Sequence, residues 1–515
     1  MKRIICLLLS SFILVGLLCG CTPEDASYTP TGDGLTWDED YTGPVYTKPS
    51  EEGEQSLKLT YYPDRSMNPF LCTDFTNRAL FSLLYQSLFS IDRSYHIEPQ
   101  LCKNYKLSQD MKTYTFYLEN AVFTDGSSLT AVDVAASLQA AKDSSIYGGR
   151  FTYVSQITPS DDGGVTVALS TPMENLPLLL DIPIIKQSEL QADQPMGTGP
   201  YYLDGGEAAV LRRKTDWWCK AEMVITAPAI ALTAAQSPAG IRDAFEFEGL
   251  SLVCADPGSD RYADYRCDYE LWDCENNIFL YLACNMDSAV FSDPAVRAAL
   301  VRAIDRDALA EDFYRGFARS ANLPASPLSP NYSSVLAAKY AYDGGEAFTQ
   351  AVSQSGMVGK EIILLVNSDD SLRVRVAREI GKMLTAGGLK VQMQELSTSK
   401  YQESLKFRTY DLYLGQTKLS NNMDLTHFFS SKGSLNYGKL SDVAMYTLCT
   451  EALANHGNYY TLHKSVMDDG RLCPILFRSY AVYATRGLLT GLTPARDNVF
   501  YYSLGKAMEN ALITE

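Results

Sequence analysis

The sequence predicts an α/β protein with more than one domain, and three observations support this. First, roughly 460 residues follow an acidic N-terminal segment, which is too much chain for one hydrophobic core. Second, apolar residues alternate with polar ones at 57–61 and again at 114–118, which is typical of half-buried strands. Third, the C-terminal half contains a strand, a helix and a second strand in succession, which predicts a parallel sheet there.

The first 20 residues are predicted to be a signal peptide. Lys2 and Arg3 precede an apolar run that ends in the tetrapeptide LCGC at 18–21. A small residue followed by cysteine suits cleavage just before Cys21, which then carries the lipid anchor. An uncleaved N-terminal anchor helix is the alternative, and both interpretations place the folded part outside the membrane.

Residues 21–55 are predicted to form a disordered acidic tether behind the lipidated cysteine. The stretch 22–55 holds nine acidic side chains and one lysine, and it has few aliphatic residues to bury. The whole chain has a formal net charge of −17, which argues against nucleic acid as a partner.

Within the body of the protein, the first helix with clear boundary signals begins after Thr130. Thr130 and Asp133 have the spacing of a capping box, and Val134, Leu138 and Ala141 fall on one face of the following helix. This pattern predicts an amphipathic helix after the strand at 114–118.

The strand, helix and strand of the C-terminal half are each delimited by sequence. The run EIILLV at 361–366 predicts a buried strand, and Ser371 is the expected N-cap of a helix whose apolar residues span 376–384. Gly387-Gly388 ends that helix, and alternation at 389–393 predicts the next strand.

Another helix is predicted to begin at Asp293-Pro294, an N-cap followed by a proline at the first helical position. Its apolar stripe runs from Val296 to Ile304. The polar side of the same segment carries Arg297, Arg302, Asp305 and Arg306. We expect these four to form surface or inter-helix ion pairs rather than ligand contacts.

Cysteine and histidine give little sign of metal or redox chemistry. Nine cysteines follow Cys21, an odd number without a C-x-x-C pair, and of these Cys267 and Cys274 are close enough in sequence for a local bridge. His456 and His463 share a predicted helix, where two solvated side chains are favoured over a metal site.

The sequence also lacks the common catalytic motifs. It contains no phosphate-binding G-x-x-x-x-G-K-[ST] loop, no G-x-S-x-G nucleophile elbow, no H-E-x-x-H and no glycine-rich dinucleotide turn. We therefore expect no enzymatic activity, no catalytic residue, no metal ligand and no cofactor.

Four blocks of the chain resemble the family 5 solute-binding proteins, the peptide and nickel receptors of ABC importers. The first is EPQLCKNYKLSQDMKTYTFYLENAVFTDGSSLTAVDVAASLQAA at 98–141, and the second joins PMGTGPYYL at 195–203 to KTDWW at 214–218. NMDSAVFSDPAVRAALVRAIDRDAL follows at 285–309. The last joins GLKVQMQELSTSKYQESL at 388–405 to TYDLYLG at 409–415.

This resemblance implies a two-lobed α/β fold of the periplasmic-binding-protein type, with a ligand cleft between the lobes and a subdomain inserted in the first lobe. By the same analogy, the segments are lobe I at 56–83, 186–283 and 487–515, the inserted subdomain at 84–185, and lobe II at 284–486. Gly197-Thr198-Gly199-Pro200 then leads into a strand and is not a phosphate site.

The segment after TYDLYLG departs from the pattern of the peptide-binding members. Those members usually carry a Trp and an Asp there, and the Asp pairs with the peptide's α-amino group. This chain has Thr417 and Ser420 at the aligned positions, and Lys418 adds a cation that repels a free amino terminus. Asp424 is the nearest acid that can replace the missing one.

The ligand is expected to contact the loops at 64–77 and 416–437. The candidate binding residues are Asn68, Thr73, Tyr85, Lys418, Ser420, Asn421, Asn422, Asp424, Ser434 and Asn436. Asn and Ser at these positions suit hydrogen bonds to a polar ligand, and they equally suit ordinary turns.

The resemblance thus implies a monomeric, lipid-anchored substrate-binding protein that delivers a small polar solute, with an oligopeptide first, to the permease subunits of an ABC importer. Three alternatives stay open: a sensory receptor that signals the same ligand, a receptor for a non-peptide ligand such as a sugar or metal chelate, and a surface hydrolase. A hydrolase requires a nucleophile and a base within hydrogen-bond reach.

Overall fold

The computed structural model describes residues 57–513, except 206–207, 220, 224, 260–264, 490, 507 and 509–510. The predicted signal peptide, Cys21 and the predicted tether lie outside the described residues. Among the helices of the described part, none is long and apolar enough to cross a membrane.

The strands of the described part, in chain order, are β1 (Lys58–Tyr61), β2 (Phe89–Ile91), β3 (Ile97–Pro99), β4 (Cys102–Leu107), β5 (Thr113–Leu118), β6 (Val154–Pro159), β7 (Val165–Leu169), β8 (Tyr201–Asp204), β9 (Val210–Arg213), β10 (Ala229–Ala234), β11 (Leu252–Ala255), β12 (Tyr269–Cys284), β13 (Ala318–Ser320), β14 (Glu361–Asn367), β15 (Lys390–Leu396), β16 (Leu412–Lys418) and β17 (Leu472–Thr485).

The α-helices of the described part are α1 (Phe75–Arg78), α2 (Phe81–Leu84), α3 (Ala131–Asp143), α4 (Pro238–Phe247), α5 (Pro294–Leu300), α6 (Arg306–Tyr314), α7 (Ser334–Ala337), α8 (Glu346–Gln354), α9 (Ser371–Ala386), α10 (Thr398–Phe407), α11 (Thr426–Phe429), α12 (Val443–Ala454) and α13 (Tyr459–Asp469). Single 3-10 turns lie at Gly148–Phe151, Leu176–Leu179, Gln187–Glu189, Ala338–Tyr340, Tyr437–Lys439 and His456–Asn458.

The first hydrophobic core lies among three small sheets, ordered β1-β10-β9-β8, β2-β3 and β4-β5-β7-β6. The strand predicted at 114–118 is β5, and its inward side chains Tyr114 and Phe116 are fully buried. Phe89 and Tyr105 pack edge-on against each other and close to these two rings. The alternation of apolar and polar residues in this strand therefore reflects burial of one face against the core, as predicted.

Helix α3 confirms the predicted capping box. Thr130 accepts a hydrogen bond from the Asp133 backbone, and the Asp133 carboxylate accepts one from the Thr130 backbone at 3.0 Å. Val134, Leu138 and Ala141 are fully buried, as expected from their spacing. The two reciprocal bonds satisfy backbone donors that the first helical turn leaves without partners.

Gly197 and Gly199 bring the entry of β8 against helix α2. A Cβ atom at Gly197 would lie 2.3 Å from the Leu84 carbonyl oxygen, and one at Gly199 would lie 2.4 Å from the Leu84 carbonyl carbon. Only glycine permits this approach. The predicted role of this segment as a strand entry is confirmed by β8, which begins at Tyr201.

The central sheet has the order β11-β17-β12-β16-β14-β15, with β13 paired to β17. β14 and β15 are parallel and joined by α9, which confirms the predicted strand-helix-strand unit. The predicted cap is wrong by one residue, because Asp370, not Ser371, accepts the hydrogen bond from Arg373 N at 2.9 Å.

The predicted helix at Asp293-Pro294 forms but ends at Leu300, before the apolar stripe does. Asp305 caps a second helix, α6, so the stripe continues across a break, with Ile304 still fully buried. Arg297 and Arg306 are buried rather than on the surface, and they donate mainly to backbone carbonyls. Arg297 also lies 3.5 Å from Asp469, an inter-helix pair of the predicted kind.

Strands β12 and β17 belong to more than one core. Cys274 of β12 lies in the first core, whereas Leu280 and Tyr281 further along the strand belong to two cores on opposite faces of the central sheet. Val482 of β17 likewise joins the first core. The two long strands therefore carry the chain between the cores, and the residue boundaries assigned to the lobes stay predictions.

The bonding of one cysteine pair and the burial of one histidine differ from the predictions. All nine cysteines of the described residues are free, so the local bridge considered between Cys267 and Cys274 is wrong. Cys274 instead donates to the Arg496 carbonyl oxygen at 2.8 Å. His456 is exposed beside Glu174, but His463 is fully buried, so the two histidines are not a solvated pair.

Candidate functional site

A polar cavity of about 420 Å³ lies between the first core and the central sheet. Its first wall combines the loop and helix around Thr73 and Arg78, the turn at 146–150, and the C-terminal segment with Arg496 and Asp497. The opposite wall is the loop that follows β16, with a contribution from Asn277 at the irregular point of β12. Segments far apart in sequence therefore enclose one site.

An ion-pair cluster crosses this cavity. Lys418, at the end of β16, donates to both carboxylate oxygens of Asp497 at 2.9 and 2.8 Å. Arg78 donates to the same carboxylate at 3.2 Å from the C-terminal end of α1. Lys418 is 42% exposed, whereas Arg78 is 9% exposed, so one cation is hydrated and the other is enclosed.

Asp497 is held as a carboxylate by these two cations. Burial by itself would raise the pKa of Asp497, but the charges of Lys418 and Arg78 outweigh it and lower the pKa below its usual range. The carboxylate is thus charged over the range in which the protein operates, and it neutralises part of the positive wall.

A second set of polar contacts joins the turn at 146–150 to the loop after β16. Arg150 forms an ion pair with Asp181, and the same carboxylate accepts a hydrogen bond from the Asn421 side chain at 3.2 Å. Asn421 also donates to the Leu178 carbonyl at 2.9 Å and accepts from Asn277 at 2.7 Å. These contacts join the two walls directly.

The cavity lining carries more positive than negative charge. Its cations are Arg78, Arg150, Lys418 and Arg496, and its carboxylates are Asp424 and Asp497. Phe75 and Tyr480 add apolar surface, with ring centroids 4.2 Å apart. The arrangement favours a polar solute with at least one anionic or hydrogen-bond-accepting group.

The structure brings six of the ten predicted binding residues to this cavity: Thr73, Lys418, Ser420, Asn421, Asp424 and Ser434. Asn421 and Asp424 are held by protein contacts, because Asn421 bonds the opposite wall and Asp424 accepts from both the backbone and the hydroxyl of Thr426. Burial raises the pKa of the Asp424 carboxyl, which makes it a poor partner for an amino group.

Asn68, Tyr85, Asn422 and Asn436 lie outside the lining of this cavity. Asn68 is fully buried and donates to the Leu190 and Ala192 carbonyls, each at 2.9 Å. The Tyr85 hydroxyl donates to the Met67 carbonyl at 2.9 Å.

The other two outliers have equally local partners. The Asn422 side chain accepts from Ser420 at 2.7 Å, and Asn436 accepts from the Ser441 backbone at 2.8 Å. All four residues therefore have local protein partners, and their part in ligand binding stays a prediction.

Sequence reasoning missed Arg78, Arg150, Asp497 and Tyr147, which dominate the first wall. The guanidinium groups of Arg78 and Arg150 lie 5.5 and 5.2 Å from the Tyr147 ring centroid. Tyr147 and Arg150 lie three residues apart just after α3, and this spacing is the sequence feature that could have indicated that the two side chains meet. Asp497 gave no local signal, because its partners lie 79 and 419 residues away.

The structure contains no group of three or more His, Cys, Asp or Glu side chains placed to hold a metal ion within the described residues. Asp497 faces Lys418 and Arg78 rather than a histidine or a hydroxyl nucleophile.

The chain matches the protein-family model described as "Bacterial extracellular solute-binding proteins, family 5 Middle" over residues 96–438, which is more than half of the chain. Glutathione-binding protein GsiB of Shigella flexneri is 25% identical over 281 residues, covering 50% of this chain and 53% of GsiB. A putative ABC transporter peptide-binding protein of Brucella abortus is 23% identical over 343 residues, covering 60% and 62%. The chain thus spans between about half and three fifths of these relatives.

Solved structures match nearly the whole fold. CtaP, an ABC transporter substrate-binding protein of Listeria monocytogenes, has a TM-score of 0.70 at 18% identity and covers 88% of this chain and 99% of its own. MppA, a periplasmic murein tripeptide binding protein in an unliganded open form, gives 0.70 at 15% identity, with 87% and 98% covered. NikZ of Campylobacter jejuni, in complex with Ni(L-His), gives 0.61 at 18% identity, with 89% and 98% covered. The two-lobed α/β fold predicted from sequence is confirmed.

Proposed function

Because the chain belongs to the bacterial extracellular solute-binding proteins of family 5, we propose that it captures a small polar solute, a short peptide first, in the cavity between its lobes. Members of this family are solute-binding proteins of ABC transporters rather than enzymes, and they work with permease subunits. In this proposal the chain is a monomeric lipoprotein, anchored through Cys21, that hands its solute to the permease for import.

The observation that carries the proposal is the enclosed interlobe cavity with its cationic excess. Its volume of about 420 Å³ lies near the lower end of the range typical of small-molecule sites, roughly 300–1,000 Å³. A short peptide or a solute of similar size suits this volume. A long extended peptide requires further opening of the cleft.

The charges favour a solute with a carboxylate. Lys418, Arg150 and Arg78 present donors to the cavity, and charged hydrogen bonds of this kind are the strongest that a polar ligand forms. Among the comparison proteins, GsiB is named for glutathione and AppA of Bacillus subtilis was solved in complex with a nonapeptide. The absence of tryptophan from residues 284–486 sets this site apart from the pattern expected of peptide-binding members.

Native mass spectrometry of the protein purified from its own host tests this proposal. We expect one small solute per chain, released unchanged on denaturation and rebound on refolding. A released compound that differs chemically from the one offered would support turnover, and a chain that retains no solute from host extract would contradict the receptor.

A further inference from the structure

A second, smaller cavity of about 70 Å³ adjoins the inner end of the interlobe cavity. The two share Arg78, Tyr147, Arg150 and Asp497 in their linings, so these four side chains form the partition between them. The small cavity has room for roughly two water molecules at liquid density, or for a ligand group of that size.

The walls of this inner cavity come from residues 78–183 and 495–502 alone. None of its lining residues belongs to the loop after β16, which closes the larger cavity from the opposite side. The inner cavity is therefore built from the first wall alone, and only Asp181 and Asp497 of its described lining bond the opposite wall, through Asn421 and Lys418.

The inner cavity has balanced charge and unused hydrogen-bonding groups. Arg78 and Arg150 are offset by Asp497 and Asp181, so the lining carries no formal net charge. Four buried polar atoms of the lining have no hydrogen-bond partner among the described residues: Ser82 Oγ, Ser90 Oγ, Asn498 Oδ1 and the Tyr502 hydroxyl oxygen. A buried polar atom in that condition is unfavourable, and a bound group or ordered water relieves it.

The chemistry of these four atoms, three hydroxyls and one amide oxygen, defines the group that fits. The Ser82 hydroxyl can donate to an acceptor, and Asn498 Oδ1 can only accept from a donor. A primary amide or a hydroxyl offers both functions within the available volume. Phe81 and Phe89 line the same space and make a charged group unfavourable there.

We propose that this inner cavity is a second ligand subsite, which takes one neutral hydrogen-bonding group, an amide or a hydroxyl, from the solute held in the interlobe cavity. The inference rests on the proposed function, because the main part of the solute must lie between the lobes. It adds a specificity determinant in the first lobe that the loop after β16 does not provide.

Binding of a defined set of tripeptides by titration calorimetry tests the subsite. The set is based on trialanine, in which each of the three positions in turn is replaced by serine, asparagine or leucine. At one of the three positions, the wild-type protein should bind the serine or asparagine peptide at least tenfold more tightly than trialanine or the leucine peptide. Ser82→Leu fills the inner cavity and should abolish this preference.

Ser94→Leu is the matched control, because Ser94 is exposed in the turn between β2 and β3 of the same lobe. It should retain the wild-type preference. Thermal melting checks that each variant is folded, and if Ser82→Leu is not, Ser82→Ala removes the hydroxyl without added bulk and should reduce the preference.

The outcomes separate the two proposals. If the wild type binds tripeptides without preference at every position, or if both Ser82 variants retain the preference, the subsite is refuted and the cavity holds water only, while the receptor function stands. A wild-type protein that binds none of the tripeptides overturns the peptide ligand and the inner subsite together.

Discussion

Replacement of Lys418 by methionine tests the electrostatics of the interlobe cavity. Lys418 is the cation on the wall after β16 that reaches across to Asp497, with two contacts at 2.9 and 2.8 Å. Methionine keeps much of the aliphatic length but removes the charge, so the variant loses an interlobe contact and a donor to an anionic solute. Asp497 keeps Arg78 at 3.2 Å, which preserves the first wall.

The size of the effect follows from the exposure of the side chain. A hydrogen bond to a charged group contributes about 1.5–3 kcal/mol when it is well buried. Lys418 is 42% exposed, so solvent screening reduces this to about 1–2 kcal/mol. At about 1.4 kcal/mol for each factor of ten, we expect an affinity loss of roughly five- to thirtyfold.

Titration calorimetry with the solute that co-purifies with the protein measures this loss. Lys382→Met is the matched control, because Lys382 also pairs with a carboxylate, Glu379, but does so on the solvent-exposed face of helix α9. The control should bind like the wild type. Unchanged affinity in Lys418→Met would refute the assigned role of Lys418 in the cavity.

Three further predictions concern stability and anchoring. Burial lowers the pKa of His463 to about 3, so only the unfolded state gains this proton as the pH falls below about 6.5. His463→Leu should therefore remove about 2 kcal/mol of destabilisation at pH 5, measured by urea unfolding at several pH values. The same pH dependence of stability in both proteins would contradict this. Asn68→Ala removes the donor to two partly buried carbonyls and should lower the unfolding free energy by about 1–3 kcal/mol with little change in solute affinity. A loss of affinity without a loss of stability would place Asn68 in the site. Cys21→Ala should release the protein from membranes or leave an uncleaved precursor in cell fractionation, and normal lipid labelling would rule out Cys21 as the anchor.

The elements that the sequence predicted correctly are those whose signals are local. The capping box at Thr130 and the alternating strand β5 depend on neighbours within four residues, and both formed as expected. The parallel pairing of β14 and β15 followed from a short crossover helix. In each case the element buries one face against one core, and the sequence shows that face as a regular spacing of apolar residues.

The errors arise where a nearby residue competes for the same role. Asp370 and Ser371 are both good N-caps, and the carboxylate of Asp370 reaches the Arg373 backbone. The helix that begins at Pro294 ends early because Asp305 caps another helix, although the apolar stripe continues. The spacing of apolar residues predicts which side chains are buried, but it does not predict where one helix ends and the next begins.

The site was only partly predictable because its charges pair over long distances in sequence. Lys418 was identified because it adds a cation in a segment where the peptide-binding members usually carry an acid, but its partner Asp497 comes from the C-terminal segment of the other wall. Arg78 is the last residue of a short helix, and only the fold brings it to the same carboxylate. The polar residues Asn68 and Asn436 have ordinary structural partners that composition cannot distinguish from a ligand.

The most direct test of the central claim is a crystal structure of the protein with the solute that co-purifies with it. The account predicts the unmodified solute in the cavity between the lobes, with an acceptor group within hydrogen-bond distance of Lys418, Arg78 or Arg150. A solute bound outside this cavity, or a cavity that stays free of solute while the protein is saturated, would contradict it.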